Sequence, residues 1–311
     1  FHDETAKTFS GRFQGTTITG ATSADEMWTE LNALVDMTFA QPETAKNFCR
    51  RLYRFFVSRN ITPEIETDII TGLADTMIAS SFEIKPVLEQ LLQSQHFFDL
   101  DDSDNADEII GGIIKSPLEL SLQAINFYQL TLPDPMTEPQ AFFDFYTRGV
   151  LIRMFEYANL PIFFPGDVAG YPGLYQQPDY HRQWFNASTI VSRYKLPEML
   201  LSGKLSIGGA VDEPLGIQLN IADWIKNSGN ISDATDPYVL VQDLLQYLLP
   251  ESPDNDRFNY FYDTIFLDQL PPADWTYEWQ AYLSSGNDTE VKIPLGRLIN
   301  AIMYSAEYQL F

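Results

Sequence analysis

The chain has 311 residues, of which 43 are Asp or Glu and 19 are Lys or Arg, for a formal net charge of −24. Apolar residues make up 45 % and aromatic residues 14 %, so a packed interior is available and global disorder is excluded. The negative field argues against broad electrostatic binding of nucleic acid or an anionic membrane, and no apolar run reaches the ~18 residues of a membrane span.

The polar stretch from Thr5 to Thr22 reads as strand and turn. The first helix opens at Ser23-Ala24-Asp25-Glu26, a capping-box pattern, and carries Met27, Leu31, Leu34, Val35 and Phe39 at helical spacing. Pro42 suits the first turn of a second helix to about Arg59, and Thr62-Pro63-Glu64 starts a third. A fourth begins near Lys85-Pro86. Pro117 opens a fifth to Leu130, and Pro139 precedes an apolar sixth through Tyr157. Residues 160–180 are rich in Pro and Gly and read as a long irregular loop. Further helices are expected over Ala187–Leu201, Tyr238–Leu249 and Asp254–Leu267, then a short aromatic one at Trp275–Leu283 and one from Leu295 to the C-terminus. The expected fold is mainly α: a multi-helix, bundle-like globular domain with long Gly/Pro-rich loops and little strand. Its expected parts are a helical core over 1–202, a loop or linker over 203–235, and a C-terminal helical extension over 236–311 packed on the core.

The single cysteine, Cys49, excludes an intrachain disulfide and a cysteine-based zinc site. It lies in a helical stretch where Ala45, Phe48, Leu52, Tyr53 and Phe56 recur at spacings of three and four, and it is expected to be a core thiol. The GxGxxG, P-loop, HExxH, GxSxG and CxxC motifs are all absent. Ser192-Arg193-Tyr194-Lys195 matches S-x-x-K but lacks the supporting S-D-N and K-T-G elements. Asn186, Asn230 and Asn287 stand in glycosylation-acceptor triplets, read as chance occurrences in polar loops. Asp99, Asp101 and Ser103 alternate as calcium ligands do. The loop nevertheless has Asp104 where glycine is needed and Ile110 at the twelfth position, so a solvated charge run is expected. No pattern names a metal or cofactor, and none decides whether the protein is an enzyme.

Five blocks then occur in order. They are His2-Asp3-Glu4-Thr5-Ala6-Lys7-Thr8-Phe9-Ser10-Gly11; Gln41-Pro42-Glu43-Thr44-Ala45 with Arg54-Phe55-Phe56-Val57; Ser94-Gln95-His96-Phe97-Phe98; Ile114-Lys115-Ser116-Pro117-Leu118-Glu119; and Pro165-Gly166-Asp167-Val168-Ala169-Gly170-Tyr171-Pro172-Gly173 with Trp184 and Arg193 behind it. Together they resemble the bacterial family catalogued as domain of unknown function 1800, in its downstream part. Tyr171 stands where that family usually has Trp. The resemblance implies a bacterial, usually exported protein with a signal segment upstream of Phe1, often encoded beside a sulfatase-like partner. It implies no established activity.

Read as chemistry, the matched residues give a candidate binding set: His2, Asp3, Lys7, Lys115, Asp167, Tyr171, Trp184 and Arg193. His2 and Asp3 suit metal ligation, acid–base work or a structural turn. Ser116 and Glu119 form a capping box, which leaves Lys115 without a local role. Arg193 suits a clamp on an anionic group, or a pair with Asp167 that holds the loop onto the helix. His2, Asp3, Lys7, Lys115 and Arg193 are expected to converge near the 165–173 loop. Two functional classes follow. One is a hydrolase-like or carbohydrate-active protein whose site is shared with upstream residues. The other is a non-catalytic glycan- or protein-binding surface protein, favoured if Trp275 and Trp279 are exposed.

Overall fold

The computed structural model describes residues 2–99, 109, 111–164, 168, 183–205, 207 and 213–311, the side chains of residues 151–153 excepted. The fold is mainly α, and the chain divides into two compact units, Phe1–Ile109 and Ile110–Phe311.

The first unit begins with a small hairpin. β1 (Lys7–Thr8) pairs antiparallel with β2 (Thr17–Ile18), Lys7 opposite Ile18 and Thr8 opposite Thr17. The turn between them uses Gln14 and Gly15 at φ of 58° and 65°, the left-handed region that lets the chain reverse tightly. α1 (Ala24–Phe39) is capped by Ser23 Oγ, which accepts from Glu26 N at 3.3 Å. The return half of the box shifts by one residue, because the Glu26 carboxylate accepts from Thr22 N at 2.7 Å. α2 (Pro42–Phe56) has its proline at the first turn, where no N–H is needed. A wide-turned segment, Ile65–Ile70, runs into α3 (Thr71–Ala79), and α4 (Ile84–Leu92) follows. Ala45, Cys49 and Tyr53, four residues apart along α2, are fully buried against Ile70, Leu73, Met77, Val87 and Leu91. Burial pushes the Cys49 thiol up to about 11 against the opposing charge of Arg50, as a core thiol requires.

In the second unit, α5 (Pro117–Phe127) carries both halves of its capping box: Ser116 N donates to Glu119 Oε2 at 2.7 Å, and Glu119 N donates to Ser116 Oγ at 3.2 Å. α6 (Pro139–Phe142) continues into wide turns over Phe143–Glu156. α7 (Ile190–Ser202) ends at Gly203, φ 69°. β3 (Lys204–Leu205) and β4 (Glu213–Pro214) form a second short antiparallel pair. Within 203–235, α8 (Ile221–Asn227) buries Ile221, Ala222, Trp224 and Ile225 in the same core as the helices on either side. α9 (Pro237–Leu248), α10 (Asn255–Asn259) with its wide-turned continuation Tyr260–Phe266, α11 (Pro272–Ser285) and α12 (Lys292–Tyr304) complete the unit.

α12 buries Leu295, Leu298, Ile299, Ile302 and Met303, a continuous three-and-four stripe, and packs on Tyr260–Phe266 and α7. Trp275 and Trp279 are buried too. Their rings stack at 5.4 Å and Trp275 Nε1 donates to Ala234 O at 3.0 Å, so they serve packing and offer no surface to a glycan.

Past α12 the chain turns back. Leu310 bridges antiparallel to Ile114, with Lys115 N donating to Gln309 O and Phe311 N to Ile113 O, both at 2.9 Å. The last residues are thereby fixed beside the segment that leads into α5.

Candidate functional site

That backbone bridge sets Lys115 against the C-terminal residues. Its Nζ donates to Tyr308 O at 2.8 Å and lies 4.9 Å from the Tyr308 ring centroid and 5.3 Å from that of Phe311. Arg193 reaches the same segment from the first turn of α7. Its Nε donates to Gln309 Oε1 at 2.8 Å, and Gln309 Nε2 donates to Met303 O at 2.7 Å, which fixes which way the amide faces. On its other side, Asn186 Oδ1 accepts from Ser188 N and Thr189 N, folding the chain into a turn before α7. Trp184 O then accepts from Arg193 Nη1 at 3.5 Å, and the Phe185 ring lies 5.4 Å from the guanidinium.

Two cations are therefore buried side by side, Lys115 at 3 % exposure and Arg193 at 1 %. Among the described residues no carboxylate forms an ion pair with either. Glu119 contributes a weak attraction, but its carboxylate is committed to the Ser116 N–H. Burial, with the charge of Arg193 second, pushes Lys115 down to about 8, and burial likewise pushes Arg193 down to about 10. An uncompensated buried charge costs several kcal/mol, so two together ask for a partner.

Among the described residues, three side-chain polar atoms of Arg193 and the residues it and Lys115 contact are buried without a hydrogen-bond partner: Arg193 Nη2, Trp184 Nε1 and the Tyr308 hydroxyl. Burial holds that hydroxyl in its protonated form, so it too can donate. The two free nitrogens donate and the Tyr308 hydroxyl can do so, and beside two cations the complementary group is a carboxylate, sulfate or phosphate.

The five charged residues expected to meet belong to both units. Lys115 and Arg193, with Trp184, gather in the second. His2, Asp3 and Lys7 gather in the first, around Glu30 of α1. Glu30 Oε2 accepts from His2 Nε2 at 3.0 Å and from Ala21 N at 2.8 Å, while Oε1 pairs with Lys7 Nζ at 2.7 Å. Lys7 also donates to Asp3 O, and Asp3 Oδ1 accepts from Thr5 N and Thr5 Oγ1. The hydrogen bond from Lys7 chiefly holds Glu30 below the ordinary carboxylate range, and the Thr5 N–H does the same for Asp3. Each group is satisfied, which makes this a clasp on the N-terminal segment. Gly20 permits it: a Cβ there would sit 2.1 Å from Glu4 O. Among the described residues no group of three or more His, Cys, Asp or Glu side chains is placed to hold a metal.

Asp167, Tyr171 and the acidic loop 100–108 lie outside the described residues. Sequence reasoning missed Glu30, Tyr308 and Gln309. Glu30 sits on a helix with an apolar stripe and no motif. Tyr308 and Gln309 are 193 and 116 residues from their partners Lys115 and Arg193.

Residues 1–310 match the family model described as Protein of unknown function (DUF1800), and the chain belongs to that family. No curated protein and no solved structure matches the chain.

Proposed function

We propose that this chain is a non-catalytic binding protein of the bacterial cell exterior that holds an anionic group at the Lys115–Arg193 cluster. The observation that carries the reading is the pair of buried cations with Arg193 Nη2 left without a partner among the described residues, while Trp184 and Tyr308, whose carbonyls contact them, keep an unpartnered Nε1 and hydroxyl. A ligand offering acceptors satisfies Arg193 Nη2, and its negative charge opposes both the burial that chiefly holds Lys115 below its ordinary range and the repulsion from Arg193 that adds to it. Hydrolysis would need a nucleophile or base beside the cations. Among the described residues, the contacts of Lys115 and Arg193 come from Tyr308, Gln309, Trp184, Phe185 and Phe311, none of which brings a carboxylate, imidazole, thiol or aliphatic hydroxyl. The exterior location, and a sulfatase-like protein as partner, rest on the family resemblance and make sulfate the first anion to test.

Calorimetric titration with sulfate, phosphate and acetate at constant ionic strength tests the reading. At least one should bind in excess of chloride, and Arg193→Lys, which keeps the charge but removes the planar fork, should weaken it at least tenfold. Equal response to all salts, in wild type and variant alike, would remove the support for a binding site.

A further inference from the structure

A second concavity lies in the same unit and has the opposite chemistry. It is a hollow of about 470 Å³ between the Tyr128–Pro133 segment that follows α5 and the Gly216–Ser228 stretch that contains α8. Its size falls in the range of small-molecule sites. No Lys, Arg or His lines it. Its polar lining comes instead from amides, hydroxyls and two carboxylates, Glu138 and Asp223.

Several of these side chains are already oriented by the protein. Gln218 Nε2 donates to Leu201 O at 2.9 Å, which leaves its carbonyl oxygen free to accept. Asn220 Oδ1 caps α8 by accepting from Asp223 N at 3.1 Å, which leaves its NH₂ free to donate. Asn227 Nδ2 donates to Asp223 Oδ1 at 2.9 Å, which leaves the other carboxylate oxygen free. Trp224 forms part of the wall. It is held by Phe127 and Tyr128, with ring centroids 5.0 and 5.1 Å away, and its Nε1 is buried without a partner. The backbone of the rim is held as firmly. Gly216 has φ 87°, and Ala141 O lies 2.3 Å from where a Cβ would stand. Gln129 adopts the left-handed region at φ 49°.

We infer that this hollow is a saccharide-binding site for a neutral sugar of one or two units. Fixed donors and acceptors alternate along its lining, and a sugar hydroxyl both donates and accepts, so it can bridge a free Asn220 N–H and a free Asp223 oxygen. Leu130 and Ile217, both half-buried in the lining, give an apolar edge for the C–H groups of a ring. The two carboxylates, with no cation in the lining, disfavour uronic acids and sulfated or phosphorylated sugars by like-charge repulsion. This site is independent of the Lys115–Arg193 cluster, whose two buried cations call for an anion.

The test titrates the whole chain with cellobiose, maltose and N,N′-diacetylchitobiose, and with digalacturonic acid as the acidic counterpart. Heat and tryptophan emission are followed together. At least one neutral disaccharide should saturate, and digalacturonic acid should bind at least tenfold more weakly. The exposed substitutions Asp223→Asn and Thr131→Ala, made together, should weaken the neutral sugar at least tenfold while leaving the melting temperature unchanged. Lys115→Met, which addresses the anion site, should leave sugar binding unaltered. The inference is overturned if no neutral disaccharide binds, if digalacturonic acid or a lysine-rich peptide binds as well, or if the double variant binds like wild type.

Discussion

Replacing Lys115 by Met removes a buried charge while keeping a flexible apolar side chain of similar length. Holding an ammonium whose ordinary value is 10.5 down to about 8 corresponds to about 3 kcal/mol against the folded state wherever both states are protonated, at ~1.4 kcal/mol per tenfold change. Met leaves Tyr308 O without the donor it has at 2.8 Å, a loss of about 1–2 kcal/mol. The variant should therefore be more stable than wild type by about 1–2 kcal/mol at pH 7 in chloride. The sign with pH follows from the direction of the displacement. Between about 8 and 10.5 the folded lysine is neutral while the unfolded one still carries its proton, so wild-type stability rises through that window. The advantage of the variant should shrink accordingly and be gone by pH 10.5. Urea denaturation of both proteins at pH 7, 8.5 and 10 measures it. A variant destabilised by more than about 2 kcal/mol at pH 7, or a difference that does not move with pH, would refute the claim that Lys115 is a buried cation without its counter-charge.

Three further outcomes concern the first unit. Glu30→Gln should free the N-terminal segment and raise amide exchange at Ala21 and in the hairpin at neutral pH. Because the folded-state value of Glu30 is depressed by Lys7, its contribution is present above the ordinary glutamate range and lost as pH falls, so wild type and variant should converge in acid. Gly20→Ala would bring a Cβ within 2.1 Å of Glu4 O. It should expose residues 2–8 to proteolysis while leaving the α2–α4 core protected, as peptide mapping would show. Cys49, buried and with its thiol pushed up to about 11, should resist a thiol reagent in the folded state and react promptly in urea.

The helices were legible wherever a local rule acts alone. Ser116 with Glu119, and the prolines at 42, 117 and 139, open helices where capping and the missing proline N–H require them. Local competition moved other boundaries. α7 starts at Ile190 because the Asn186 side chain first ties residues 186–189 into a turn. α12 stops at Tyr304, where the pattern suggested helix to the end, because residues 309–311 are drawn into pairing with 111–115. The wide turns at Ile65–Ile70, Phe143–Glu156 and Tyr260–Phe266 have no pattern of their own in apolar periodicity. At the site, Lys115 stood out because no neighbour in sequence explains it, and Arg193 because it follows the Pro165–Gly173 block of the family resemblance. Their partners Tyr308 and Gln309 are set by long-range packing that no local pattern encodes.

The central claim is that the Lys115–Arg193 cluster is built around an anion. A crystal structure determined in selenate, with anomalous data collected at the selenium edge, tests it most directly. An anomalous peak is expected within hydrogen-bonding distance of Arg193 Nη2 and Lys115 Nζ, and should be lost in Arg193→Lys. A density map in which a carboxylate of the chain itself, or water alone, satisfies those atoms would contradict it.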